Sequence, residues 1–166
     1  MTPQRLLKLA ILPALAELSE LGVKHAPTTA RFLLAIALQE SGLRYRRQLT
    51  AGGEEAGPAM GFWQCEVGGA CKGVLRHAVT EVRMTKMCEA FNVRPEPLAL
   101  WEAIRYNDVL AAVVARLLVL TLPQAVPETA EDGWKQYLEA WRPGKPRPDE
   151  WAGCWAVASV ACGVPS

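Results

Sequence analysis

The chain has 166 residues, enough for one domain, 1–166, to bury its own core. With 51% hydrophobic residues, 21% charged residues and a formal net charge of +1, the composition is globular. It excludes wholesale disorder and supplies no basic face for nucleic acid.

The first predicted helix covers residues 3 to 21, with a kink at Pro13. Its "LAILPALA" run follows Arg5 and Lys8 and imitates a short signal peptide. The apolar pattern continues through Leu18 and Leu21 between charges, so an amphipathic helix is the better reading. A second helix starts after Pro27, carries Phe32, Leu33, Ile36 and Ala37 at core spacing, and stops at Gly42. Residues 43 to 70 are Gly-rich and polar, then short and aromatic, which suits a loop and a small hairpin. Helical patterning resumes over 72–91, 96–105 and 108–121, the last with Asn107 or Asp108 as its cap. A helix over 131–141, the stiff "RPGKPRP" link and a helix over 148–161 complete the chain. The expected fold class is mainly α, about seven helices with a small β or irregular insert after the second. "VLAAVVARLLVL", residues 109–120, is too short to span a bilayer and contains Arg116, so no membrane span is expected.

Five cysteines (Cys65, Cys71, Cys88, Cys154, Cys162) stand at irregular spacing, with His25 and His77 the only histidines. There is no CxxC or Cys/His cluster, which argues against zinc; buried or free thiols are expected, with Cys65 and Cys71 close enough to pair in an oxidising compartment. No metal or organic cofactor is implied, and neither a Ser-His-Asp pattern nor a phosphate-binding glycine loop is present.

Glu40 is the residue out of place. It lies one turn beyond Ile36 and Ala37, so it belongs on or beside the buried face at the last turn of its helix. Burial and the negative end of the helix dipole both disfavour a carboxylate there, which should raise its pKa. A carboxyl kept protonated near neutrality can donate to a leaving oxygen. The ordinary alternative is a glutamate that simply reaches solvent. Its company weighs against that: Ser41-Gly42 follows at once, and a polar loop then leads to "GFWQCE" with Gly61, Trp63, Gln64 and Glu66.

A helix ending in Glu-Ser-Gly, a loop and then Gly-Phe-Trp-Gln resembles the lysozyme-like superfamily, above all lytic transglycosylases and goose-type lysozymes. In that family the catalytic glutamate ends a helix as Glu-Ser, and a "GLMQ"-type strand closes the cleft. "RYNDVLAAVVARLL" is similar to the family's Asn-opened helix, and "WKQYLEAWRPGKP" to its closing Tyr-rich helix and turn. The combination is most like small lysozyme-like proteins of tailed phages and prophages. The resemblance touches residues 30–145 and rests on short motifs. It departs from the family in a longer Glu40-to-Gln64 interval, in the larger "GFWQ", and in "EAWRPGK" where the family has an "AYNAGPG"-like turn.

The resemblance implies cleavage of the β-1,4 bond between N-acetylmuramic acid and N-acetylglucosamine, with Glu40 as general acid and then base. The substrate's own N-acetyl group would assist, giving a 1,6-anhydro product. Hydrolysis with inversion would need a second carboxylate, for which Glu66 is favoured over Glu54 and Glu55. Ser41, Trp63, Gln64, Asn107 and Tyr137 would bind substrate, Trp63, Tyr137 and Trp141 as faces for sugar rings and Gln64 and Asn107 as amides reading N-acetyl groups. Core packing is the competing role for Trp63, and capping for Asn107. Arg44, Arg46 and Arg47 would meet the carboxylates of peptide stems, or favour the helix end electrostatically. The partners implied are glycan strands and, with a virion, other virion proteins; the protein would be made in the bacterial cytoplasm and reach the wall or periplasm with a virion or by a holin-type route. A non-catalytic virion or tail-associated protein of the same fold, and a plain helical interaction protein, are the competing readings.

Overall fold

The computed structural model describes residues 1–164; residues 165 and 166, the last two of the expected 1–166 domain, lie outside the described residues. Among the described residues the structure is mainly α, with eight helices and one small antiparallel sheet after the second helix.

Helix α1 runs over residues 3–20, capped by the Thr2 side chain, which accepts the Arg5 N–H. Pro13 does not end it. One wide turn precedes the proline, with the Leu12 N–H reaching back to the Leu7 carbonyl, and this relieves the clash that its ring would otherwise cause. Helix α2, Thr29–Ser41, is buried along almost its whole length and stops where Gly42 turns left-handed at φ 55°. The sheet follows: β1 Arg47–Leu49, β2 Glu55–Met60 and β3 Cys65–Glu66, in the order β1-β2-β3. Arg47 pairs with Met60 and Leu49 with Glu55 on one side, and Ala59 with Glu66 on the other. The insert is therefore a three-stranded sheet rather than a hairpin.

Helix α3 spans residues 67–76, beginning irregularly around Gly69, and α4 is Glu81–Ala90. The single helix expected over 72–91 is broken here. His77 is extended at ψ 131°, and the buried Thr80 hydroxyl reaches back 2.8 Å to the Val74 carbonyl, which stabilises the corner. Helix α5 is Pro97–Ala103, α6 Asp108–Leu120, α7 Ala130–Trp141 and α8 Pro148–Cys162. Proline opens α5 and α8, where its missing N–H costs nothing.

The core is built on the two helices that are apolar all round. Helix α6 buries every residue from Leu110 to Leu117, and α2 buries Phe32 through Ala37. Helix α1 packs on α6, and α8 lies along α2 with Trp151, Trp155 and Ala158 turned inward. Gly133 of α7 is what lets α8 approach, since a Cβ there would stand 2.5 Å from the Trp155 ring. Arg116, within α6, is buried and among the described residues has no carboxylate partner. Its Nε donates to His25 Nδ1 at 3.1 Å and its Nη2 to the Lys24 carbonyl at 3.0 Å, which binds the α1–α2 loop to the core. Burial lowers the pKa of both side chains, that of Arg116 to about 10. Cys65, Cys71 and Cys88 are buried free thiols, with pKa values pushed up by burial; Cys154 and Cys162 are half-buried and also free. Among the described residues no helix is long and apolar enough to cross a membrane.

Candidate active site

The C-terminal turn of α2 is where the buried helix meets solvent. Gln39 is fully buried, Glu40 half-buried, and Gly42 donates its N–H to the Leu38 carbonyl at 2.9 Å to close the helix. Ser41 joins this turn to the sheet. Its Oγ lies 2.9 Å from the Ala37 carbonyl and 2.8 Å from the Phe62 carbonyl, and accepts the Leu43 N–H at 3.2 Å. The hydroxyl expected to bind substrate is committed to the frame instead.

The turn between β2 and β3 is "GFWQ". Gly61 has φ 73°, and a Cβ on it would stand 3.2 Å from the Ile104 carbonyl, so glycine is required on both counts. Phe62 and Trp63 then plunge into the core, Trp63 at 0% exposure with its Nε1 donating to the Leu33 carbonyl at 2.8 Å. This corrects the expectation of a sugar platform: Trp63 has no open face. Its carbonyl in turn accepts the Trp141 Nε1–H at 2.8 Å. Pinned through the carbonyls of Phe62 and Trp63, the turn delivers Gln64 to the surface at φ 48°, with its Nε2 2.8 Å from the Gly61 carbonyl.

Opposite stands the end of α7. Tyr137 is 2% exposed and lies flat against Trp151, with ring centroids 5.4 Å apart. It too lacks a face for a sugar. Its hydroxyl donates to Glu40 Oε1 at 2.6 Å, so it holds the carboxyl rather than the substrate. Beyond α7, Arg142 takes the left-handed conformation and starts the Pro-rich strap of residues 142–147. Arg147 ends that strap against α2: its Nη2 donates to the Gln39 carbonyl, and Gln39 Nε2 donates back to the Arg147 carbonyl at 3.0 Å.

Between these walls runs an open groove of about 1520 Å³, lined among others by Glu40, Ser41, Tyr45, Gln64, Glu66, Gly68, Gly69, Tyr137, Trp141 and Arg147. Of the residues nominated from sequence to react or to bind sugar, Glu40, Ser41, Gln64, Glu66, Tyr137 and Trp141 thus meet there; Trp63 and Asn107 do not line it. Asn107 is the cap of α6, its Oδ1 accepting the Leu110 N–H at 2.9 Å, so its expected role in reading substrate is corrected to a structural one. Glu54 and Glu55 are exposed away from the groove lining. Arg46 forms a two-pronged ion pair with Asp108, Nε–Oδ1 3.1 Å and Nη2–Oδ2 2.6 Å, which leaves Arg44 and Arg47 as the groove arginines of that run. Sequence reasoning missed Tyr45, which lines the groove at 40% exposure and supplies the aromatic surface that Trp63 does not. It also missed Arg147, for which no local signal exists: its partner Gln39 is 108 residues away.

Burial is the main cause raising the pKa of Glu40, and the charge of Glu66 adds to it. The Tyr137 hydrogen bond and the Arg147 charge pull the other way without reversing the sign. The Tyr137 hydroxyl is itself driven up by burial and by the carboxylate beside it, so it remains a donor. The arrangement can therefore present one half-buried, protonatable carboxyl, fixed by a phenol, to a ligand lying in an open groove. Among the described residues no group of three or more His, Cys, Asp or Glu side chains could hold a metal ion. In comparisons with known proteins, no family model, no curated protein and no solved structure matches this chain.

Proposed function

We propose that this protein cleaves the β-1,4 bond between N-acetylmuramic acid and N-acetylglucosamine in peptidoglycan, with Glu40 as general acid and then base. The observation that carries this reading is Glu40 itself: a half-buried carboxyl of raised pKa, held by Tyr137, in the groove that also contains Gln64 and Glu66. The lysozyme-like resemblance of the Glu-Ser-Gly and Gly-Phe-Trp-Gln motifs supports it, as does the order of a buried helix, a small sheet and further helices.

With Tyr137 on Oε1, the second carboxyl oxygen is the one to carry the proton to the glycosidic oxygen as the bond breaks. The positive centre left at the anomeric carbon would be met by the substrate's acetamido oxygen. Glu40, now a carboxylate, would then take the proton from the 6-hydroxyl as that oxygen closes the 1,6-anhydro ring. Gln64 presents its side-chain carbonyl and remaining N–H to the groove for an amide of the substrate, and Tyr45 presents a ring to a sugar face. Glu66, exposed on β3, is the group that would activate water if the reaction were hydrolytic. Such an enzyme would work at the wall, delivered by a virion or through a holin-type route.

The test is digestion of purified cell walls with reducing-end and mass analysis of the fragments. Anhydro-ended fragments from wild type, and none from Glu40→Gln, are the expected result. Fragments with free reducing ends would move the assignment to hydrolysis. Equal clearing by wild type and Glu40→Gln would overturn the role of Glu40, and no clearing by wild type would leave a non-catalytic virion protein as the better reading.

A further inference from the structure

We infer that a second recess, opening off the groove beside β1 and α5, binds the peptide branch of the glycan: an acidic peptide with small apolar side chains and one basic group. The inference rests on the groove's being a peptidoglycan site. The recess has a volume of about 440 Å³ and is continuous with the groove, because Arg47, Glu66 and Gly68 line both. A branch on a strand lying in the groove thus has a path into it.

The chemistry of the recess differs from that of the groove. Its walls are Pro58, Val67, Leu98 and Trp101, with Arg47 and Glu66 at the shared rim. No Asn, Gln, Ser or Thr lines it, so it offers a sugar no neutral hydrogen-bonding side chain beyond the Trp101 indole, whose Nε1–H is already given to the Pro58 carbonyl at 2.7 Å. Apolar walls with one cation and one anion at the mouth suit a short peptide instead.

Arg47 is the central residue. Its Nε donates to the Gly57 carbonyl at 3.1 Å and its guanidinium lies 5.7 Å from the centroid of the Trp101 ring, so the group is oriented from two sides. Its terminal nitrogens have no hydrogen-bond or ion-pair partner among the described residues. The contrast with Arg46, whose guanidinium is fully engaged by Asp108, is direct. A guanidinium oriented at Nε with a free outer edge presents a ready-made fork for a carboxylate. Leu98, at 56% exposure, stands beside it as a surface for methyl groups, and Glu66 faces the same mouth as a partner for an ammonium group.

The experiment titrates the intact, nitrogen-15-labelled protein with the tripeptide L-alanyl-γ-D-glutamyl-L-lysine and follows the Trp101 indole N–H resonance. A saturable shift of that resonance is expected, with affinity reduced roughly tenfold or more in Arg47→Gln. Leu98→Glu, a change at an exposed helical position that does not threaten folding, should weaken binding similarly through repulsion. No saturable shift at Trp101, or unchanged affinity in both variants, overturns the inference. Because binding is read without turnover, the two readings fail separately. A chain that binds the tripeptide here but clears no wall overturns only the catalytic assignment. A chain that clears walls but leaves Trp101 unmoved overturns only this recess.

Discussion

The two walls of the groove are built in opposite ways. The sheet-side wall is an extension of the core: Phe62 and Trp63 are fully inserted, and the carbonyls of both are held by side chains from elsewhere, Ser41 and Trp141. The strap-side wall, residues 142–147, is mostly exposed, rich in proline, and fastened to α2 by the reciprocal Gln39–Arg147 pair. Glu40 sits at the seam between them, bonded to neither the turn nor the strap but to Tyr137. One wall fixes position by burial; the other fixes it by a polar clasp that water can compete for. Under the proposed function, a reacting carboxyl next to a yielding wall would let a long polymer enter and leave.

The largest effect should come from breaking the rigid wall. Trp63→Ala removes a fully buried ring and its hydrogen bond to the Leu33 carbonyl, and should cost about 3–5 kcal/mol in denaturant unfolding. On a domain of ordinary stability that is a large share of the total. Trp63→Phe should retain much of the packing and give an intermediate loss.

Glu40→Gln tests the seam. Under the proposed function, loss of Glu40 as general acid should lower wall-clearing rates by roughly 10²–10⁴-fold with the fold intact. Stability should move the other way, and the sign follows from the raised pKa of Glu40. Between its unfolded and its folded pKa the native state holds more protons, so native stability falls as pH rises through that window. Glutamine does not ionise, so the variant should gain on wild type as pH rises and lose that advantage in acid. Melting curves taken at several pH values would read this directly.

Tyr137→Phe separates holding the carboxyl from packing beside it. The ring stays against Trp151 while the donor to Glu40 Oε1 is lost. That hydrogen bond favours the carboxylate, so its removal should raise the Glu40 pKa further and carry the alkaline limb of the activity profile to higher pH. The rate at the optimum should fall by about tenfold or less, as befits one positioning hydrogen bond. An unmoved alkaline limb would show that Tyr137 merely packs there.

The rigid wall and the strap also differ in how far sequence could reach them. Helices α2 and α6 stand out in sequence as nearly unbroken apolar runs because both are buried on nearly every side, and Gly42 marks the end of α2 by its own conformational freedom. Glu40 could be singled out because its helix position is fixed by its immediate neighbours. The break at His77 could not, since residues 72–91 carry helix-compatible patterning throughout and the corner depends on Thr80 meeting Val74. Trp63 was misread for a related reason: an aromatic residue in a Gly-flanked turn looks the same whether it points outward or inward, and the Leu33 carbonyl that receives it is 30 residues away. Arg147 lay beyond any local pattern, and in sequence it is one charge in a proline-rich link.

The smallest effect, and the finest test of the contrast between walls, is Arg147→Ala. It removes the donor to the Gln39 carbonyl and an ion pair to Glu150, Nε–Oε2 3.4 Å, between side chains that are about half exposed. The ion pair itself should contribute little, as exposed pairs do. Global stability should therefore fall by no more than about 1 kcal/mol. The local consequence is larger than the global one. With only the Gln39 Nε2 bond to its backbone carbonyl left, the strap should exchange the amide hydrogens of Gly144 and Lys145 faster, while those of Trp63 and Gln64 on the opposite wall keep their rates. The guanidinium also favours the Glu40 carboxylate, so the alkaline limb of activity should shift upward, in the same direction as for Tyr137→Phe. The two variants are told apart by exchange, because only Arg147→Ala loosens the strap. Equal acceleration on both walls would mean that they stand or fall as one unit, and that the contrast between a buried wall and a clasped one has no energetic content.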